Sequence, residues 1–142
     1  MAGEARRGMF EVSTVTVHGQ PTAVGSAGPF TLVVDRPADA GGGGLGFNGG
    51  QLLYLAVAGC VSNDLYREAP TFGITLSRVK VTVCGDFSGD PLVSEEIAYT
   101  VELDGEPAEL LGELVQHVDR IAEIPNSLRQ GTQVRLASVR AS

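Results

Sequence analysis

The chain is poor in the residues that would allow it to bind nucleic acid or to cross a membrane. Its 142 residues include 10 Lys and Arg against 17 Asp and Glu, which gives a formal net charge of −7. No basic stripe interrupts this acidic background, so a phosphate backbone would be repelled and we expect no nucleic-acid partner. The longest apolar run, Leu52 to Val61, has about half the length that a membrane-spanning helix requires, so we expect no membrane insertion.

Cysteine and histidine are also scarce, with two residues of each kind. Cys60, Cys84, His18 and His117 show no metal-ligand spacing, so we expect neither a metal nor another cofactor. Residues 1–9 have no apolar core behind their basic residues, which argues against a secretory signal and favours a cytoplasmic location. In a reducing cytoplasm both cysteines are expected to be thiols unless they carry out redox chemistry.

The chain does contain enough apolar sequence for one sizeable core. Hydrophobic residues make up 43% of it, and its length predicts a single domain over residues 1–142. Four consecutive glycines, Gly41 to Gly44, exclude regular structure and predict a loop. Two interpretations stay open: a flexible surface loop, or a loop that lines a pocket beside the following helix. It is not a phosphate-binding loop, because no Lys-Ser/Thr pair completes that motif.

The first half of the chain predicts strands followed by a buried helix. Residues Phe10 to Asp35 contain short apolar segments separated by turns, and these turns are too short for a crossover, which predicts an antiparallel meander. Asn48 and Gln51 have the spacing of a capping box. They precede a helix over Gln51 to Arg67 whose interior, Leu52 to Val61, is apolar on every side, so we expect this part to be buried on every side. A polar face is expected only from Asn63 onward.

The second half predicts two strands, a second helix and a last strand. The strand Ile74 to Phe87 has one break in register, and its alternation directs Cys84 away from the valine face. The elements that follow are a strand Val93 to Leu103, an amphipathic helix Pro107 to Ile124 stopped by Pro125, a turn Ser127 to Gly131 and a strand Gln133 to Val139. This order predicts the α+β class.

The segment Pro37 to Val61 resembles the organic-hydroperoxide-resistance branch of the OsmC/Ohr family. In that family a glycine-rich loop leads through a Gly-Thr-Asn-Pro-Glu-Gln-Leu stretch into a buried helix with an Ala-Ala-Cys. Here the corresponding stretch is Gly46-Phe47-Asn48-Gly49-Gly50-Gln51-Leu52, and the helix carries Ala58-Gly59-Cys60. The strand after the helix and the ending Pro125-Asn126-Ser127-Leu128 are also similar to the family.

The resemblance implies a fold with antiparallel sheets around a buried central helix, in an intertwined homodimer with two active sites at its interface. In the family, the helix cysteine attacks a peroxide oxygen and becomes a sulfenic acid, which a second cysteine traps as a disulfide. An arginine and a glutamate hold the thiolate and orient the peroxide, and a dithiol reductant restores the enzyme. By this resemblance, the substrate expected here is a small hydroperoxide.

Only one of the family's four catalytic positions is kept. Cys60 fits the cysteine that attacks the peroxide, whereas Ile124 occupies the position of the resolving cysteine. Gly50 replaces the glutamate, and Gln20 or His18 stands where the family has its arginine. Because only a thiolate is a useful nucleophile, Cys60 would need another cation, and we expect Arg36 to supply it.

Two functions therefore remain open. The first is a thiol-dependent hydroperoxide reductase that uses Cys60 and is regenerated by an external thiol reductant. The alternative is a non-catalytic family member that binds a small hydrophobic molecule at the dimer interface. Cys84 could act as a resolving cysteine from an unusual place, but its position in the strand argues against this. Neither His18 nor His117 has a visible partner that would make it a general base.

Overall fold

The computed structural model describes residues 10–142, which divide into two units, one reaching to Leu52 and the other formed by Leu53–Ser142. The predicted absence of a secretory signal concerns residues 1–9, which lie outside the described residues. The assignment of a single domain over residues 1–142 stays a prediction.

The amino-terminal unit contains a three-stranded antiparallel sheet in the order β1-β2-β3. Its strands are β1 (Ser13–Thr16), β2 (Ala23–Ala27) and β3 (Phe30–Val34). Val24 of β2 stands opposite Val15 of β1 and Val33 of β3. The short turns between the strands leave no room for a crossover, and the predicted meander is confirmed.

The glycine loop after β3 is folded around the side chain of Asp35, which is only 3% exposed. The Asp35 carboxylate accepts hydrogen bonds from the Thr22 hydroxyl at 2.8 Å and from the backbone N–H groups of Arg36, Gly43 and Leu45 at 2.8, 3.1 and 3.2 Å. The Thr22 hydrogen bond is the main cause that holds the pKa of Asp35 below its ordinary value, against the effect of burial. Neither interpretation of the glycines predicted this buried carboxylate.

Helix α1 (Gly49–Glu68) begins in the amino-terminal unit and continues into the second unit. The Gln51 N–H donates to Asn48 Oδ1 at 2.9 Å, and the Asn48 N–H donates to Gln51 Oε1 at 2.9 Å. Because two amides that lack a helical acceptor are satisfied in this way, the helix starts here, and the predicted capping box is confirmed.

The prediction that the interior of α1, Leu52 to Val61, is buried on every side is wrong for this chain. One face is buried through Val57, Val61, Asp64 and Leu65, whereas Leu55 is 47% and Tyr66 49% exposed. A single chain covers one face of the helix and leaves part of its apolar surface in contact with solvent. Among the helices of residues 10–142, none combines the length and the apolar character that crossing a membrane requires.

The main sheet of the second unit consists of β4 (Thr75–Cys84) and β7 (Ala98–Glu106), which pair antiparallel. Val81 stands opposite Val101, and the register shifts between Leu76 and Arg78, which confirms the predicted break. The alternation of β4 is confirmed as well, since Val79, Val81 and Val83 are half-buried and Cys84 is exposed.

A small hairpin of β5 (Phe87–Ser88) and β6 (Val93–Ser94) lies between these two strands in the sequence. The predicted strand Val93 to Leu103 is therefore divided, because residues 95–97 leave the ladder. Tyr54 of α1 fastens the hairpin: its hydroxyl lies 2.9 Å from Ser94 Oγ, and its ring stacks on Phe87 with centroids 5.8 Å apart.

The second predicted helix is two helices, α2 (Leu111–Ile121) and α3 (Glu123–Arg129). They are separated by Ala122, whose ψ of 123° is extended. Pro125 does not stop a helix but lies in the first turn of α3, where a backbone N–H would have no helical acceptor in any case. The turn expected over Ser127 to Gly131 is consequently helical as far as Arg129.

The second unit holds an apolar core between α1, α2 and the β4–β7 sheet. The buried members of this core are Val61, Leu65, Ala69, Ile74, Leu114, Val118 and Ala122. The predicted last strand, Gln133 to Val139, does not form: these residues pair with no strand in the described part of the chain, and Val134 is 94% exposed. The α+β class is confirmed by the remaining elements.

Candidate functional site

Cys60 lies in the second half of α1, where it is half-buried and packs against the apolar core of the second unit. Its Sγ lies 4.0 Å from Oδ2 of Asp64, toward which the thiol donates a weak hydrogen bond. Residues four apart on a helix lie on the same face one turn from each other, so this contact follows directly from the sequence spacing.

Asp64 connects Cys60 to a series of ionisable side chains. Arg67 Nη1 lies 3.2 Å from Asp64 Oδ1, and Arg67 Nε lies 3.0 Å from Glu68 Oε2. Glu68 Oε1 in turn lies 2.8 Å from His117 Nε2, on helix α2. We call Cys60, Asp64, Arg67, Glu68 and His117 the Cys60 cluster. All five belong to the second unit.

The two carboxyl groups of the Cys60 cluster differ in their environment. Burial is the main cause that raises the pKa of Asp64, although Arg67 acts in the opposite direction. The hydrogen bond with His117, followed by that with Arg67, lowers the pKa of Glu68. Glu68 therefore favours its charged form more than an ordinary glutamate does, whereas Asp64 binds a proton more readily than an ordinary aspartate.

The other residues predicted for the site lie in the amino-terminal unit. Gln20 is exposed in the turn after β1, and its backbone N–H donates to the Val17 carbonyl oxygen at 2.8 Å. Arg36 follows Asp35, and its Nε donates to the Ala40 carbonyl oxygen at 3.0 Å. The assignment of either side chain to the Cys60 thiolate stays a prediction.

Cys84 does not share the environment of Cys60. Both are free thiols, and Cys84 ends β4 on its exposed face, whereas Cys60 packs against the core on the other side of the sheet. Ile124, at the position expected for a resolving cysteine, is half-buried in α3. The second unit therefore places no second thiol beside Cys60.

Sequence reasoning assigned only Cys60 of the Cys60 cluster to the site and missed its four other members. His117 was interpreted as lacking a partner, which is wrong, because it bonds Glu68 and its ring lies 5.2 Å from that of Phe72. The partners are 49 residues apart, and no local spacing indicates such a pair. Asp64 could have been found, since its separation of four residues from Cys60 is visible in the sequence.

A cavity of about 510 Å³ lies in the second unit beside the amino-terminal half of α1. Its lining includes Leu53, Val57, Tyr99 and Arg129. The Tyr99 hydroxyl donates to Asp119 Oδ1 at 2.5 Å, and Arg129 Nη2 bonds the same oxygen at 2.7 Å. Burial, followed by the Asp119 bond, raises the pKa of Tyr99, and the Tyr99 and Arg129 bonds lower the pKa of Asp119.

Replacing Tyr99 by phenylalanine should lower the free energy of unfolding by about 1–2 kcal/mol at pH 7, since a hydrogen bond to a charged group is lost at a site open to solvent. Because the folded-state pKa of Asp119 is lowered, this contribution is complete above about pH 5 and disappears as the pH falls through that pKa, below about pH 4. Urea titrations at several pH values measure it. Tyr66→Phe, on an exposed side chain, is the matched control. An equal loss of stability in this control, or a loss in Tyr99→Phe that does not depend on pH, would contradict the assignment of the effect to the Tyr99–Asp119 hydrogen bond.

The fold and the site define an α+β protein whose central helix carries a half-buried cysteine within a group of ionisable side chains. A sequence model of the family described as OsmC-like protein matches residues 41–137, and the chain therefore belongs to this family. Comparison with curated protein sequences gave no significant match.

Solved structures of other members share the fold. The chain is similar to the OsmC-like protein from Mycoplasma pneumoniae, with 21% identity, a TM-score of 0.74 and coverage of 89% of this chain and 91% of that chain. An organic hydroperoxide resistance protein OsmC from Legionella pneumophila gives 18% identity, a TM-score of 0.66 and coverage of 85% and 89%. The organic hydroperoxide resistance protein OhrB of Bacillus subtilis gives 18% identity, a TM-score of 0.59 and coverage of 85% of this chain and 90% of that chain. These similarities establish the OsmC-like fold.

Proposed function

We propose that this protein is a thiol-dependent reductase of organic hydroperoxides in which Cys60 is the reacting residue. The observation that supports it most directly is the contact between Cys60 Sγ and the Asp64 carboxyl, 4.0 Å apart. A cysteine that only fills a core is surrounded by apolar groups and stays an inert thiol. Cys60 instead has a proton acceptor beside it at the edge of a core. The names of the Legionella and Bacillus proteins, which refer to organic hydroperoxides, support the same class of substrate.

The proposed reaction has one oxidation and one reduction. The Cys60 sulfur attacks the terminal oxygen of the hydroperoxide, so that a sulfur–oxygen bond forms and the oxygen–oxygen bond breaks. The sulfur loses two electrons and becomes a sulfenic acid, while the hydroperoxide becomes an alcohol. An external thiol then attacks the sulfenic acid and displaces water, which gives a mixed disulfide with Cys60. A second external thiol attacks this mixed disulfide, restores the Cys60 thiol and leaves joined to the first as a disulfide. A cytoplasmic location, where such thiols are abundant, fits this cycle.

Single-turnover oxidation tests the proposal. The reduced protein is mixed with one equivalent of an alkyl hydroperoxide, and the alcohol produced and the mass of the peptide that contains Cys60 are followed over time. We expect one equivalent of alcohol and a sulfenic acid on Cys60, trapped with dimedone. If Cys60 stays unmodified while the protein remains folded, the enzymatic function is excluded.

We also propose that the protein works as a homodimer. Apolar side chains are exposed both on α1, at Leu55 and Tyr66, and in the carboxy-terminal segment, where Val134 and Leu136 are 94% and 81% exposed. Apolar side chains that a single chain leaves exposed could be covered by a second copy of it. Light scattering should give twice the 14.8 kDa of one chain, and a mass of one chain at micromolar concentration would contradict the proposal.

A second candidate function is the binding of a small hydrophobic molecule without catalysis. It is favoured by a cavity of about 470 Å³ in the amino-terminal unit, which is lined largely by apolar groups of the sheet. These include Val12, Phe30, Leu32, Val34 and Leu52. Cavities of this size and character suit small apolar ligands. Unreacted Cys60 in the oxidation experiment, together with saturable binding of an apolar fluorescent probe, would favour this function over the first.

A further inference from the structure

The side chain of Asp64 is held with one oxygen toward a cation and the other toward the thiol. Asp64 is 6% exposed, Oδ1 lies 3.2 Å from Arg67 Nη1, and Oδ2 lies 4.0 Å from Cys60 Sγ. Arg67 is itself fixed by Glu68 at 3.0 Å, and Glu68 by His117 at 2.8 Å. This series of contacts directs Oδ2 of Asp64 toward Cys60 Sγ, the sulfur that reacts in the proposed function.

A carboxylate in this position does not stabilise a thiolate, because the two negative charges repel each other. The surroundings do favour a carboxyl that can exchange a proton. Burial raises the pKa of Asp64, Glu123 of α3 and Glu68 raise it further, and Arg67 lowers it. A general acid–base group works best when its pKa is moved from its ordinary value toward the working pH, and for a carboxyl that direction is upward.

We propose that Asp64 is a catalytic acid–base residue that accepts the proton of the Cys60 thiol and delivers it to the alcohol that leaves. The inference rests on the proposed function and gives Asp64 a specific role in it.

The proton balance of the step is complete. The thiol proton moves to Asp64 Oδ2 as the sulfur attacks the terminal oxygen of the hydroperoxide. That oxygen keeps its own hydrogen and becomes the hydroxyl of the sulfenic acid. The electron pair of the broken oxygen–oxygen bond leaves on the alkoxide, which takes the proton from Asp64. The thiol and the hydroperoxide thus give the sulfenic acid and the alcohol, and Asp64 returns to its initial charge.

The test replaces Asp64 by asparagine, which keeps the shape of the side chain and removes its ability to carry the proton. With an alkyl hydroperoxide at pH 7, the single-turnover rate should fall about 10²-fold. With a peroxycarboxylic acid, whose carboxylate leaving group needs no proton, the rate should fall much less, because only the acceptance of the thiol proton is lost and not its delivery. Alkylation by iodoacetamide should be unchanged or faster, because the loss of a neighbouring negative charge favours the thiolate. Asp104→Asn, at an exposed carboxyl on β7, is the matched control and should leave all three rates unchanged.

The wild-type protein provides a second measurement that does not depend on the folding of a variant. If Asp64 supplies the proton, the rate should depend only weakly on the acidity of the leaving alcohol across a series of alkyl hydroperoxides. A steep dependence would contradict the inference.

The failures are distinguishable. An equal loss of all three reactions in Asp64→Asn would show that Asp64 is structural, and an unchanged alkyl hydroperoxide rate would show that it transfers no proton. Either result overturns this inference while the reductase function stands. If the wild-type protein itself consumes no hydroperoxide, the proposed function fails, and the role of Asp64 fails with it.

Discussion

Replacing Cys60 by serine is expected to reduce the single-turnover consumption of an alkyl hydroperoxide to the uncatalysed rate. A serine hydroxyl is not ionised near neutral pH and forms no sulfenic acid, so neither the attack nor the oxidised product is available. The fold should be kept, because serine is close to cysteine in size and can donate to Asp64 in the same way. The measurement is alcohol formation in the first turnover, with circular dichroism of both proteins to confirm that they are folded.

Cys84→Ser is the matched control for this experiment, since it makes the same change at the other thiol of the chain. Cys84 is exposed on the opposite side of the β4–β7 sheet, and we expect its variant to consume hydroperoxide at the wild-type rate. If Cys84→Ser abolished consumption and Cys60→Ser did not, the reacting residue would be Cys84, and the assignment to Cys60 would be wrong. The pair therefore separates the two thiols without any assumption about the reductant.

The parts of the fold that could be predicted from sequence depend on contacts between near neighbours. The capping box of Asn48 and Gln51 involves a spacing of three residues, and the alternation of β4 involves a period of two. Such periodicities are imposed by backbone geometry, so they are visible before any tertiary contact is known. The exposed position of Cys84 followed from the same rule.

Elements whose structure depends on other segments could not be predicted in this way. A proline can follow the end of a helix or lie in the first turn of one, and the sequence around Pro125 allows both positions. In the structure the backbone of Ala122 is extended and a new helix begins after it, so Pro125 lies in a first turn. The segment Gln133 to Val139 has the composition of a strand, but a strand requires a neighbour with free backbone groups. No such neighbour pairs with it within residues 10–142.

The candidate site shows the same division. Cys60 was found from its place in a family-like segment, and Asp64 lay within reach of the sequence as a residue four positions further on the same helix. The pair of Glu68 and His117 joins two helices and depends on how α1 packs against α2, so it required the structure. The backbone N–H groups that bond the Asp35 carboxylate likewise could not be predicted, because glycines allow the loop many backbone conformations and the sequence does not select one.

Replacing Gly42 by alanine is expected to lower the free energy of unfolding by about 1–3 kcal/mol. A Cβ at this position would lie 2.6 Å from the carbonyl carbon of Arg36, which is closer than real contacts allow. The same carbonyl accepts a hydrogen bond from the Gly44 N–H at 3.0 Å. The loop cannot move away from Arg36 without weakening that bond and the nearby bond from Gly43 to Asp35. Urea denaturation measures the change.

Gly112→Ala makes the identical change where nothing opposes it. Gly112 is in the first turn of α2, and apart from its chain neighbours and the backbone of the helix itself, no heavy atom lies within 4 Å of the position that its Cβ would occupy. Alanine has the higher helix propensity, so this variant should be more stable than the wild type by about 0.5 kcal/mol. The two variants should therefore change stability in opposite directions. A loss at Gly112 equal to that at Gly42 would assign the effect to glycine replacement in general, whereas a neutral Gly42→Ala would show that the loop has room for a side chain beside Arg36.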